Sequence, residues 1–544
     1  MTDHSASSFT SLHKRSKSLK GDKINRKTKR SLSAELQDVF TIDEIKEEVR
    51  FWKILQNYVK GRSGLTTGNN TFKSICGLCL AEPKEQKWLI KFRKAGLRRL
   101  NHFLQHTTRK EAQSKNIKLL TWSCLSLLSF YYSKNQNQVE DCNCVLLHKF
   151  DQSKALFRGT MYLILPEKQT EVIRQTIRYI TITEQWNTED YDSFVFQELL
   201  TMITKAELLI AKIIKQIERS QRDAAFKEAY TIGCSLSTIL EQVYWDKYLF
   251  NHLLHNCFNT LLKLYLLFNV SVPSPDNVEI SKLRGVIKTC TRNFISNIKD
   301  NKGLVSVMDS IAKCLGDPTI GNEDRFEISE LITFCAQRHI CRYFRESITP
   351  DLLELLLNDL LSRDKSAVML SHKIFHHLLD RHGNIKYFTE PVYFFKGRSD
   401  FTINHEFGIE DVHFFKSFCI EFFDGIHQCF LKYSDKYELV TSYITLCLVL
   451  VEIPDPVITI NVIHTIITTQ NDVLKSDMTM TMKAHIHATI AAVMSLICII
   501  HNEEVTALEK YVEEVLHFRA ENSPHLLPPL QAGSHILRFE NYKS

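Results

Sequence analysis

Between Ser347 and Asn384 the sequence spells out one antiparallel pair of helices, and units of this kind recur along the chain. Thr349 is placed to cap the first helix, and Pro350 suits its first turn, whose N–H groups have no intrahelical partner. Leu352, Leu353, Leu356, Leu357 and Leu360 form an apolar stripe at helical spacing. Ser362 to Lys365 is a polar break. The second helix carries Val368, Ile374, Phe375, Leu378 and Leu379 on one side, with small Ser371 among them, and Gly383 suits its C-terminal cap.

The same reading predicts helices over 42–59, 84–105, 115–133, 169–181, 191–218, 223–243, 247–268, 280–298, 303–315 and 328–344. It continues with 411–433, 436–451, 481–501 and 505–520. Pro456 to Thr469 fits helix and strand alike, because its many β-branched residues lower helix propensity; its helical neighbours favour helix. Phe388 to Gly408, with Pro391, Gly397 and Tyr393-Phe394-Phe395, is expected to be a long ordered loop laid over the helices. Turn-formers are scarce: 17 glycines and 12 prolines in 544 residues lie well below the usual ~7% and ~5%. A helix pair about every 40 residues predicts an all-α fold, an α-solenoid of HEAT- or armadillo-like pairs. The alternative is a non-repeating all-α protein. The expected divisions are a disordered basic tail over 1–34, helical repeats over 35–327 and 328–531, and a C-terminal tail over 532–544.

Charge is concentrated at the start. Residues 1–30 carry nine Lys or Arg against two Asp, whereas the whole chain is only +6. A near-neutral body argues against a nucleic-acid surface. The cations Lys14, Arg15, Lys17, Lys20, Lys23, Arg26, Lys27, Lys29 and Arg30 are instead the candidate contact with an anionic lipid surface, each contributing ~1 kcal/mol near that surface. Ser18 and Ser33 follow Arg15 and Arg30 at phosphorylation-like spacing, and a phosphate there would weaken the attraction. A nuclear-localisation patch and a plain solubilising tail are the competing readings. The polar, basic opening does not resemble a signal peptide, and the fifteen scattered cysteines are expected to be free thiols used as small hydrophobes. Ala484 to Ile500 is uncharged but holds His485 and His487 and falls short of the ~20 apolar residues of a membrane span, so a buried helix is expected.

Few residues look chemical. Asp380-Arg381-His382-Gly383-Asn384 has the flavour of a lipid-kinase catalytic loop, yet its Asn is one residue early, and no Asp-Phe-Gly or Gly-rich phosphate loop accompanies it. A capped helix end is the structural reading. Cys76-x-x-Cys79 with Cys142-x-Cys144 and His148 can be drawn as a zinc site, but the pairs are far apart and one gap is short. His376-His377 lacks acidic or Cys company, and His405-Glu406 lacks the second His of a zinc protease. No nucleophile elbow, Walker loop or dinucleotide fingerprint is present, so no enzyme activity, metal or cofactor is expected.

Three landmarks then occur in one order: Phe-His-His-Leu-Leu-Asp-Arg-His-Gly-Asn (Phe375 to Asn384), Tyr437-Glu438-Leu439 leading into Leu446 to Glu452, and Phe518 to Leu530 with its Leu-Leu-Pro-Pro-Leu. With these the chain resembles the rolling-blackout, or eighty-five-requiring, family over about Ile328 to Leu530, and 35–327 more loosely. The resemblance implies a non-catalytic helical-repeat scaffold on the cytoplasmic face of the plasma membrane. Its implied partners are subunits of the alpha isoform of type III phosphatidylinositol 4-kinase complex. Family members begin with an acylated cysteine cluster. Here no cysteine precedes Cys76, so Cys76 and Cys79 are the candidates for acylation, against a packing role among Ile75, Leu78 and Leu80. A soluble cytosolic or nuclear adaptor is the alternative function.

Overall fold

The structure is a computed structural model. It describes residues 72–83, 85–136, 144–165, 167–187, 190–203, 206–242, 252–267, 277–317, 320–394, 401–432, 435–501 and 505–522. Among the described residues all regular structure is helical. In chain order the helices are α1 (Phe72–Leu80), α2 (Gln86–Gln105), α3 (Arg109–Ser114), α4 (Ile117–Gln136), α5 (Cys144–Ile164), α6 (Gln169–Ile182), α7 (Tyr191–Leu200), α8 (Ala206–Arg222) and α9 (Phe226–Gln242). They continue with α10 (His252–Leu267), α11 (Asn277–Asn297), α12 (Asn301–Leu315), α13 (Asn322–Ala336), α14 (Phe344–Ser347), α15 (Pro350–Leu361) and α16 (Lys365–Leu379). The last are α17 (Ile409–Lys416), α18 (Cys419–Lys432), α19 (Lys436–Glu452), α20 (Pro456–Lys475), α21 (Met480–His501) and α22 (Thr506–Asn522).

The chain divides into two compact units. One comprises Met1–Val243 with Val270–Asn293, and the other Tyr244–Asn269 with Phe294–Ser544. In the first unit α1 packs on α2 and α4, α4 on α5 and α6, and α8 on α6 and α9. In the second, α12, α15, α18 and α20 stack as one row and α13, α16, α19 and α21 as the other. Each helix there meets its pair partner or the equivalent helix of the next pair, the nearest-neighbour packing of a solenoid.

Local chemistry sets the starts. Thr349 Oγ1 accepts from Leu352 N at 3.4 Å and Pro350 occupies the first turn, as its sequence predicts. Asp455 repeats the device ahead of Pro456: its Oδ1 accepts from Val457 N at 3.0 Å and Ile458 N at 3.3 Å. That cap opens a single helix to Lys475, so the β-branched run is helical; Ile458, Val462, Ile466 and Val473 supply its buried face.

Two predicted helices are each two. The 191–218 pattern breaks after Leu200, and the 411–433 pattern begins earlier, at Ile409, and breaks after Lys416. At both breaks a hydroxyl takes a helix carbonyl: Thr201 Oγ1 donates to Glu198 O at 2.7 Å, and Ser417 Oγ to Phe414 O at 2.6 Å. The backbone N–H of each residue still reaches the carbonyl four residues back, Thr201 to Gln197 and Ser417 to His413, both at 3.3 Å, so these residues close the preceding helix. The 328–344 pattern is shifted, since α13 begins at Asn322 and ends at Ala336. Helix α5 was not anticipated, and the predicted helix over 42–59 and the proline connector near Pro273 lie outside the described residues.

Among the described residues one helix, Met480–His501, is long and apolar enough to cross a membrane, and 67% of its apolar window is buried. It packs against α19, α20 and α22. The loop after α16 lies over this part of the array. Phe388 and Phe401 meet at 5.6 Å, and Phe394 joins both at 6.0 and 5.3 Å. Val392 N donates to Tyr443 Oη at 3.4 Å and Phe394 N to Ser495 Oγ at 3.0 Å.

Candidate functional site

Helix α16 ends on the Asp380–Asn384 motif. Gly383 sits at φ +70°, a left-handed backbone that suits glycine. The Asp380 carboxylate faces its own loop: Oδ1 accepts from Asn384 N at 2.5 Å and Oδ2 from Ile385 N at 3.1 Å. Asn384 is fully buried and exchanges two bonds with Thr402, Nδ2 to O at 2.8 Å and Oδ1 from N at 2.9 Å. Asp380 and Asn384 are the residues a phosphoryl-transfer loop would use as base and metal ligand. Here Asp380 is bonded to the backbone of its own turn and Asn384 to the backbone of Thr402.

Arg381 enters the core behind that turn. Its Nη1 lies 2.7 Å from Asp411 Oδ2 and its Nε 3.3 Å from Glu452 Oε2, and neither carboxylate side chain is exposed. The guanidinium carbon sits 3.9 Å from the centre of the Phe344 ring. Asp411 Oδ1 accepts from Phe344 N at 2.9 Å, and Glu452 Oε1 from Arg381 N at 3.2 Å. His382 Nδ1 lies 3.0 Å from both Glu452 oxygens, close enough to share a proton with them. Burial pushes the Glu452 carboxyl up from its ordinary value, while His382 and Arg381 oppose the shift. One knot thus ties α14, α16, α17 and α19.

Sequence reasoning singled out the Asp-Arg-His motif but not its partners. The available signal was Glu452 itself, a lone carboxylate closing the apolar run Leu446 to Val451; Asp411 carries no comparable mark.

The neighbouring histidines of α16 are also structural. His372 Nδ1 lies 2.8 Å from Thr445 Oγ1, and its Nε2 3.2 Å from Ser442 Oγ. His376 Nε2 lies 2.8 Å from Thr445 Oγ1 and 3.1 Å from Thr441 O. Burial pushes His376 down to about 3 and His372 well below its ordinary value, so both are neutral. His377 remains half-exposed, with Nε2 3.2 Å from Gln337 Nε2.

In the first unit, Cys76 and Cys79 are fully buried. Burial pushes the Cys76 thiol up to about 12 and Cys79 well above the ordinary range. Gly96 explains part of this: a Cβ there would lie 2.8 Å from Cys79 Sγ, so α2 presses directly on the thiol. Both candidate acylation residues are thus enclosed in the packing of the first unit. Cys142 lies outside the described residues, His148 Nε2 meets Gln152 Nε2 at 3.0 Å, and no group of three or more His, Cys, Asp or Glu is arranged for a metal among the described residues. Lys14, Arg15, Lys17, Lys20, Lys23, Arg26, Lys27, Lys29, Arg30, Ser18 and Ser33 all lie outside the described residues.

The described surface has its own cationic face. Helix α2 contains no Asp or Glu, and Lys87, Lys91, Lys94 and Arg98 recur along one exposed side. Lys91 Nζ lies 5.2 Å from the Trp88 ring centre.

A family model described as EFR3, armadillo repeat matches residues 74–538. The match runs through both units and well ahead of the 328–530 stretch in which the sequence resemblance is strongest. No curated protein and no solved structure matches.

Proposed function

The chain belongs to the EFR3 armadillo-repeat family, and from that premise we propose that it is a non-catalytic scaffold that helps bring a phosphatidylinositol 4-kinase complex to the plasma membrane. The family match over most of the chain carries the reading. The N-terminal concentration of charge supports it, since nine cations within residues 1–30 suit an anionic cytoplasmic leaflet. The occupied backbone roles of Asp380 and Asn384 support the non-catalytic part.

Two measurements test it. A fluorescent fusion should mark the cell periphery, and depleting the protein should release the kinase from the plasma membrane. Purified protein should bind phosphatidylserine liposomes, less so as salt rises, because the Debye length is only ~8 Å at physiological ionic strength. Deleting residues 1–34, or placing Glu at Ser18 and Ser33, should weaken that binding. Equal binding of full-length and truncated chains at low salt rejects the tail as the contact. Diffuse cytosolic or nuclear fluorescence with an undisturbed kinase favours the soluble adaptor instead.

A further inference from the structure

We propose that a groove at the N-terminal end of the first unit binds a compact polyphosphate, the chemistry shared by a phosphoinositide headgroup and a free inositol phosphate. The groove has a volume of 760 Å³ and lies where the second half of α2 meets α3 and the segment before α4. That is within the ~300–1,000 Å³ range of small-ligand sites. The apolar wall comes from Ile75 and Phe103. The polar lining is strongly cationic: Arg98 and Arg99 are successive on α2, and Lys115 adds a third charge.

The two arginines are exposed, and no ion pair engages either of them among the described residues. Each guanidinium offers five N–H donors in a planar fork that matches phosphate oxygens two at a time. One phosphate satisfies one fork. Two adjacent forks with a lysine in the same concavity match a ligand carrying two or more phosphates. The wall is also ordered: the His102 and His106 rings stack at 4.4 Å, and His106 Nδ1 donates to His102 O at 2.8 Å.

Glu111 is the one carboxylate lining the groove. It is held in a capping box, with Oε2 accepting from Thr108 N at 2.9 Å and Thr108 Oγ1 at 3.0 Å. Those bonds lower its pKa, so it stays charged and trims the net charge of the groove. Gln at this position keeps the box and removes the charge. The proposal stands apart from the membrane role of the N-terminal tail, because every residue it uses is in the folded unit.

The test uses the full chain and inositol 1,4,5-trisphosphate, titrated calorimetrically at about physiological ionic strength. Saturable one-to-one binding is expected. Arg98→Ala with Arg99→Ala should weaken it by about tenfold or more, the scale of losing charge-assisted bonds. Lys87→Ala with Lys91→Ala removes the same charge from the same helix outside the groove, and should change it less than about twofold. Glu111→Gln should tighten it. Vesicles containing phosphatidylinositol 4,5-bisphosphate, compared with phosphatidylserine vesicles of matched charge, separate the sources. Preference for the former that is lost with the arginines identifies a headgroup, and trisphosphate binding without it identifies a soluble ligand. Deleting residues 1–34 should leave trisphosphate affinity unchanged, even where it abolishes liposome binding. Absence of saturable binding, or equal losses from the arginine and lysine pairs, overturns the proposal.

Discussion

Replacing Arg381 by Ala should loosen the second unit locally and severely. Removing one partner from a buried ionic group leaves an uncompensated charge, which costs about 3–5 kcal/mol. Here two fully buried carboxylates, Asp411 and Glu452, lose the same guanidinium, and Phe344 loses a cation 3.9 Å above its ring. Glu452 can partly escape, because its carboxyl is already pushed up and can take a proton; Asp411 keeps its bond from Phe344 N. The lower part of that range, about 3 kcal/mol, is therefore expected, which corresponds to roughly two decades in an opening equilibrium. A chain of two units need not unfold in one step, so local amide exchange is the proper readout. The Phe344, Asn384 and Asn404 amides should exchange about a hundredfold faster in Arg381→Ala. Arg381→Lys keeps the charge without the fork and should lose about half as much free energy. A double-mutant cycle with Asp411→Asn should show coupling of about 1 kcal/mol or more. If Arg381→Ala speeds these amides less than about threefold, or if the cycle is additive, the knot does not hold these helices together.

Other expectations follow from the same packing. His372 and His376 have lowered pKa values, so their stability contribution is complete above about pH 6.5, the unfolded value, and drains as pH falls towards the folded values. Between pH 8 and 5.5 the pair should cost about 3 kcal/mol, partly offset by Asp359, whose carboxyl is raised to about 6 and acts with the opposite sign; denaturant midpoints at the two pH values should diverge in the native protein and much less in His372→Gln/His376→Gln, and parallel curves contradict this. Gly96→Ala should lower the melting temperature through a clash worth about 1–3 kcal/mol, since Cys79 N and Cα would lie 3.2 and 3.3 Å from the new Cβ, whereas Gly159→Ala, with nothing within 4 Å, should be neutral or stabilising. Asp380→Ala should cost about 1–3 kcal/mol by uncapping the Asn384 and Ile385 amides, and kinase recruitment should survive it in cells where the variant remains folded; loss of recruitment with intact stability reopens a chemical role.

What the sequence made legible was whatever local chemistry decides. Thr349-Pro350 stands where its chemistry puts it, and Leu352, Leu356 and Leu360 of the stripe are buried, but Leu355 joins them while Leu353 and Leu357 stay half-buried. Gly383 takes its left-handed turn four residues past Leu379, where Asp380 and not the glycine caps the helix. Pro456 to Thr469 was ambiguous because β-branching and periodicity pull apart; burial of Ile458, Val462 and Ile466 between neighbours decides it. The breaks after Leu200 and Lys416 do not interrupt an apolar period and so left no pattern to read. The knot was half visible: Asp380 to Asn384 is contiguous, but Asp411 and Glu452 reach Arg381 from 30 and 71 residues away. The groove lining is contributed by α1, α2, α3 and the segment before α4, and such concavity has no signature in one dimension.

The loop across the second unit changes how that unit should fail. An array whose helices touch only adjacent pairs can fray from one end, pair by pair, much as a linear Ising chain melts. The bond from Phe394 N to Ser495 Oγ joins residues 101 apart, and Val392 reaches Tyr443 along the same path. Such a strap adds coupling beyond nearest neighbours and lengthens the stretch that must melt together. Pulled from its two ends, this unit should therefore give way in one large force step across α16 to α21, where an unstrapped array would yield a staircase of small ones.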